Sequence, residues 1–243
     1  MTTTIDTDEV EKFSRLAATW WDTEGAFKPL HRFNPVRVEY IRSALAAHFK
    51  RDEAALKIAD GLSLLDVGCG GGLIAEPMAR LGAAVTAIDA SEKNIAAAKI
   101  HGQQAGLTID YRCMAAENLA DTGAQFDVIL CLEVVEHVAD PLLLVRSIAA
   151  LLKPGGLLVM ATLNRTPQSF ALVIVGAEYV LRWLPRGTHQ WSKFIKPSEL
   201  SDFAMKSGLV LKAIDGVQYN PLSKVWRLSR DTTVNYLLTA TKN

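Results

Sequence analysis

Between residues 62 and 162 the chain switches repeatedly between two hydrophobic patterns. Short runs that are apolar almost throughout, at 63–67, 84–88, 109–113, 126–130 and 157–162, read as strands. The stretches between them carry helical spacing at 73–81, 92–105 and 141–152, the last with Pro141 in its first turn. Lys153-Pro154-Gly155-Gly156 reads as a turn. Strands apolar on both faces, alternating with helices, predict a parallel sheet covered on both sides. The tail has a different rhythm. A helix is expected over 198–207, behind Pro197, and strands over 210–217 and 235–241. The polar, turn-rich stretch between those strands, 219–231, is too short for a crossover helix, so they should pair antiparallel. Residues 168–196 do not fit the alternation and read as an insertion. Residues 1–51 precede the sheet and read as largely helical, with an irregular stretch near 25–35.

Composition narrows the function without naming one. A chain of 243 residues with 49% hydrophobic residues can bury one ordinary core. Lys+Arg and Asp+Glu are 26 each, so no net field attracts nucleic acid. The three cysteines, Cys69, Cys113 and Cys131, form no CxxC pair, which argues against structural zinc or a disulfide framework. The stretch 1–11 is polar and acidic, unlike a secretory signal. The longest apolar run, 170–184, is interrupted by Glu178 and Arg182 and falls short of the roughly 20 residues that span a bilayer.

The strongest motif is Asp66-Val67-Gly68-Cys69-Gly70-Gly71-Gly72, following a strand and opening a helix. Glycines such as Gly68 and Gly70 let backbone approach a ligand where a β-carbon would block it. The glycines alone leave a nicotinamide dinucleotide in play, or a turn that holds nothing. Asp66 shifts the balance. A carboxylate at the strand end repels a diphosphate but suits a cationic amino group, as S-adenosylmethionine carries. Asp89 ends the second strand 21 residues after Gly68. An acid at that spacing accepts ribose hydroxyls, although it could instead cap the following helix. Glu117 could bound an adenine pocket or be a solvated loop acid.

Residues 65–72, Asp89, Phe126-Asp127-Val128-Ile129 and Leu151-Leu152-Lys153-Pro154-Gly155-Gly156 together resemble the class I methyltransferases. The resemblance implies an α/β, Rossmann-like fold: a seven-stranded, mostly parallel sheet with an antiparallel last strand and helices on both faces. The chain is then one domain, 1–243. A helical extension spans 1–61, the cofactor-binding core 62–162, an inserted lid or membrane-facing segment 163–197, and the C-terminal helix and strands 198–243.

A closer likeness runs through Trp20-Trp21-Asp22, the stretch 27–37, Glu133-Val134-Val135-Glu136-His137-Val138, Thr162-Leu163-Asn164-Arg165, the stretch 175–179, Gly187-Thr188-His189, the stretch 193–197 and Tyr219-Asn220-Pro221. These resemble the ubiquinone-biosynthesis O-methyltransferase family. That likeness implies methyl transfer from S-adenosylmethionine to the phenolic hydroxyls of a polyprenyl catechol and of demethylubiquinol. The alternative is another small acceptor for the same core. It implies cofactor contacts at Arg37, Gly68, Asp89 and Leu132, where Arg37 could pair bidentately with the methionyl carboxylate. It also implies magnesium, with Glu133, Glu136 and His137 as candidate ligands. The other reading of this trio is that only His137 matters. A phenol has a pKa near 10, so His137 acting as base, or a bound cation, must favour the phenolate.

Such an acceptor is nearly insoluble. The insertion 168–196 is therefore expected to be a lid, or a lid that also meets an anionic membrane surface. Phe170, Leu172, Val173, Ile174, Val175, Tyr179, Leu181, Trp183 and Leu184 would supply apolar bulk, and Arg182, Arg186, Lys193 and Lys196 positive charge. The implied location is cytoplasmic and peripheral on the inner face of the membrane, with a ubiquinone-synthesis complex as a candidate partner. Trp20 and Trp21 could line the acceptor pocket or staple the N-terminal helices to the core.

Overall fold

A computed structural model describes residues 3–180, 187, 190–220, 223 and 225–243. The helices are α1 (Thr7–Arg15), α2 (Lys28–Phe49), α3 (Ala75–Arg80), α4 (Glu92–Gln104), α5 (Ala116–Ala120), α6 (Pro141–Leu151), the single turn α7 (Pro167–Ser169) and α8 (Pro197–Lys206). The strands are β1 (Ser63–Val67), β2 (Ala84–Asp89), β3 (Asp110–Cys113), β4 (Phe126–Leu132), β5 (Leu152–Leu163), β6 (Leu209–Asn220), β7 (Val225–Ser229) and β8 (Asn235–Lys242). Local chemistry sets several helix starts. The carboxylates of Asp6 and Asp140 and the hydroxyl of Ser91 accept backbone N–H bonds at the beginnings of α1, α6 and α4.

The strands form one sheet in the order β3-β2-β1-β4-β5-β8-β6-β7. Strands β1 to β5 pair parallel, and β8 runs antiparallel between β5 and β6. Successive side chains of a strand point to opposite faces, and both faces are buried along the central strands β1, β4 and β8 and most of β5. Leu64, Val85, Val128 and Leu130 join the cluster under α2 and α3, while Leu65, Ile88, Ile129 and Leu158 join the one under α6 and α8.

Three expectations need correction. The sheet has eight strands, not seven. The extra one, β7, lies in the stretch read as turn, where its residues are mostly exposed or half-buried and show no strong apolar run. The edge of the long strand β6 recruits it, Tyr219 pairing with Trp226. Second, the Lys153–Gly156 turn is absorbed as an irregularity in β5: Phe126 pairs with Leu152, and the next partner of β4, Val128, pairs with Leu157. Third, α2 already begins at Lys28, with Pro29 in its first turn and Pro35 inside it. Among the described residues no helix is long and apolar enough to cross a membrane.

Candidate active site

The glycine loop leaves the C-terminal edge of β1, where open α/β sheets bind ligands. Gly68 and Gly70 both have positive φ, +70° and +52°. A β-carbon on Gly68 would lie 2.4 Å from Val134, and one on Gly70 2.3 Å from the Trp20 indole. The loop is therefore confined from both sides.

Beneath it, Asp66 and Arg37 are buried, 3% exposed each. Asp66 Oδ2 and Arg37 Nε have no hydrogen-bond partner, whereas Arg37 Nη2 donates to Asn34 (2.9 Å) and its guanidinium lies over the Phe33 ring. Burial raises the Asp66 carboxyl to about 7; the Arg37 charge opposes that shift and Asp89 adds to it. Both residues line a cavity of about 950 Å³ that also holds Gly68, Leu132, Glu133 and His137. Unsatisfied buried polar groups of opposite charge fit a zwitterionic ligand group, because each is costly until a partner arrives. The amino-acid end of S-adenosylmethionine is such a group.

A smaller cavity, about 150 Å³, lies on the other side of the loop and contains Asp89, Asn94, Met114 and Ala115. Asp89 is not a helix cap, since Ser91 fills that role for α4. Its carboxylate accepts bonds from Gly70 N (3.0 Å), Ser91 N (2.8 Å) and Asn94 Nδ2 (3.1 Å). Asn94 in turn accepts the Trp20 indole N–H at 2.9 Å. Glu117 does not face an empty pocket. Its carboxylate accepts from Thr4 N, the Thr4 hydroxyl and the Thr3 hydroxyl, fastening the N-terminal segment across this region. Phe13, Trp20, Gly68, Glu133 and His137 line both cavities, which marks the junction where donor and acceptor would meet.

The backbone is bent at that junction. Glu133 follows β4 with φ +59°, a left-handed conformation rare for a non-glycine residue. A short 3-10 turn, Val135–His137, comes next. It divides the expected trio. Glu136 is 2% exposed, with neither carboxylate oxygen hydrogen-bonded. Burial, reinforced by the negative charge of Glu133, pushes its carboxyl well above the usual carboxylate range. His137 is oriented by a residue 128 positions away, its Nδ1 lying 2.9 Å from Glu9 Oε2. Among the described residues no three His, Cys, Asp or Glu side chains are gathered as a metal-ligand set. No step below uses the magnesium expected at Glu133, Glu136 and His137.

Glu9 escaped the sequence reading because nothing local marks it. Only the docking of α1 against the turn after β4 makes it a neighbour of His137. Trp20 covers the loop and lines both cavities, while the Trp21 indole donates to Gly71 O (3.0 Å) and stacks on His101 at 3.4 Å.

The insertion winds as a π-helix over Phe170–Val180. Leu172, Val173 and Gly176 line the large cavity, while Phe170, Leu172, Val175 and Trp191 are exposed. Lys193 faces inward to Asp6 (2.9 Å) and Glu9 (3.5 Å), so it is spent on an internal contact. Lys196 is exposed. Leu181, Arg182, Trp183, Leu184, Arg186, Thr188, His189 and Pro221 lie outside the described residues, as does the side chain of Tyr179.

Known proteins share this architecture. Residues 65–160 match the methyltransferase domain family model. The magnesium protoporphyrin IX methyltransferase of Synechocystis PCC 6803, solved with bound SAH, superposes with a TM-score of 0.66 at 18% identity over 96% of this chain and 94% of its own. A possible histamine N-methyltransferase from Thermotoga maritima gives 0.64 at 17% identity, over 97% and 100%. The fold and the cleft define an S-adenosylmethionine-dependent methyltransferase of class I. Within that class the sequence relatives are specific. The ubiquinone biosynthesis O-methyltransferase of Chelativorans sp. (strain BNC1) is 56% identical over 99% of this chain and 95% of its own length. That of Cereibacter sphaeroides (strain ATCC 17029) is 57% identical over 96% and 95%. The chain belongs to the ubiquinone biosynthesis O-methyltransferase family.

Proposed function

We propose that the chain methylates the phenolic hydroxyl of a polyprenyl catechol and, later in the same synthesis, of demethylubiquinol. The observation that carries this reading is the buried Arg37–Asp66 pair, with unsatisfied atoms, lining the same cavity as His137. Asp66 would accept the ammonium of S-adenosylmethionine and Arg37 would hold its carboxylate. Gly68 and Gly70 would pass the backbone beside it, Asp89 would take the ribose hydroxyls, and Leu132 would flank the adenosyl-methionyl junction. When bound, the cofactor supplies an electrophilic methyl on a sulfonium.

The chain's own residues then prepare the oxygen. His137 takes the phenol proton as the oxygen attacks, because little phenolate exists at neutral pH. The apolar walls from Phe13, Leu16, Phe27, Leu163 and Leu172 exclude water and align acceptor with donor. No covalent intermediate on the protein is required.

A prenylated acceptor is drawn from a lipid phase. The exposed Phe170, Leu172, Val175 and Trp191 beside the cavity support a surface that rests on an anionic membrane, with the enzyme peripheral on its cytoplasmic face. The test of the function is direct. Labelled S-adenosylmethionine and a short-chain prenyl catechol are incubated with the protein and the product is identified by mass. A methyl ether is expected. Methylation only of carboxylate or amine acceptors would reassign the substrate.

A further inference from the structure

We infer that Glu9 is a positioning residue for the methyl-transfer base: it fixes the ring orientation and tautomer of His137 from the N-terminal helix. This rests on His137 being the base and goes one step beyond it.

Glu9 and Phe13 are one helical turn apart and share a face of α1. Together they hold the imidazole. Glu9 Oε2 accepts from Nδ1 at 2.9 Å, and the Phe13 ring meets the imidazole edge-on at 5.0 Å. The contact is sheltered, with side-chain exposures of 13% for His137 and 6% for Glu9. A carboxylate accepting at Nδ1 requires the proton there, which puts the basic lone pair on Nε2. As the phenol O–H bond breaks, its proton passes to Nε2, and the oxygen's electron pair forms the new bond to the methyl carbon. The sulfonium carbon–sulfur bond breaks, leaving a neutral thioether. The ring becomes imidazolium and the adjacent Glu9 carboxylate balances its charge.

Glu9 is itself held in place. Lys12 lies 2.6 Å from Oε2, and Lys193, near the C-terminal end of the insertion, lies 3.5 Å from Oε1. Asp6, one turn before Glu9, bonds the same Lys193 at 2.9 Å. The orientation of the base is therefore tied to both segments that close over the cleft.

The experiment compares wild type, Glu9→Gln, Glu9→Asp, His137→Ala and Glu9→Gln/His137→Ala, using S-adenosylmethionine and a short-chain prenyl catechol. A general base contributes roughly 10²- to 10⁴-fold, so loss of its orienting carboxylate should lower kcat by about 10- to 100-fold. The KM for S-adenosylmethionine should stay within about 3-fold, since Glu9 acts on the base rather than the donor. Aspartate should restore part of kcat. The double variant should be no slower than His137→Ala alone. Nitrogen-15 spectra of the chain's five histidines, with His137 assigned by its loss in His137→Ala, should show Nδ1–H in wild type and a mixture of tautomers in Glu9→Gln. Full turnover by His137→Ala would overturn the base reading itself. An inactive His137→Ala alongside a wild-type kcat in Glu9→Gln would overturn only the positioning role. A loss of cofactor affinity with an unchanged tautomer would do the same, reducing Glu9 to a structural tie.

Discussion

The indole of Trp20 lies so close to Gly70 that a single added carbon on the glycine would sit 2.3 Å from its ring. The N-terminal segment and the cofactor loop are thus packed as one surface. The same indole donates to Asn94, which donates to Asp89.

Gly70→Ala should therefore fail on two counts. Its φ of +52° is strained for alanine, and Trp20 must be displaced. A combined cost of about 2–3 kcal/mol is expected. Calorimetry should show Tm falling by roughly 4–10 °C, with S-adenosylmethionine binding weakened at least about tenfold. Unchanged binding would mean that the loop does not carry the cofactor.

The acid Asp66 gives a pH signature. Burial raises its folded-state pKa to about 7, above the unfolded value of 3.8. Its contribution to stability is thus complete below that unfolded value and is lost as pH rises through about 7. Glu136, also raised by burial, acts in the same sense. Without ligand, loss of the Asp66 contribution should lower Tm between about pH 4 and 7, and Asp66→Asn should flatten part of that slope. The ammonium of the donor needs the carboxylate ionised, so affinity for S-adenosylmethionine should weaken as pH falls below about 7, with proton release on binding at pH 6. Titrations in buffers of different ionisation enthalpy measure that proton directly.

Glu136→Gln separates a neutral buried acid from a metal ligand. Glutamine reproduces the uncharged form, so at pH 7 the variant should fold as well as wild type and keep turnover within about threefold. Turnover after complete chelation with EDTA should match the untreated enzyme. A loss restored by magnesium, and absent from Glu136→Gln, would show that Glu133 and Glu136 gather around a cation once the acceptor is bound.

The exposed apolar face beside the cavity is tested on vesicles. Wild type should co-sediment with phosphatidylglycerol-containing liposomes at low salt and less so at high salt. Phe170→Ser combined with Leu172→Ser should reduce that binding severalfold while leaving Tm nearly unchanged, since both side chains are already exposed. Equal sedimentation would place the contact elsewhere.

Much of this was legible in the linear chain, for a physical reason. Strand and helix periods are local, as are the glycine loop, the acid that ends β1 and the acid that ends β2. The parallel core and the choice of a sulfonium donor over a diphosphate followed from those alone. Other features depended on neighbours far along the sequence. β7 exists because β6 offers it an edge. Glu117 holds Thr3 and Thr4 rather than a ligand, and Lys193 serves Glu9 and Asp6 rather than a headgroup. Glu136 and His137, adjacent in sequence, are driven apart in chemistry by the turn after Glu133, one buried with its carboxyl shifted upward, the other bonded to Glu9. A side chain's type is written in the sequence, but its protonation and its partner are set by burial and by whichever distant element packs against it.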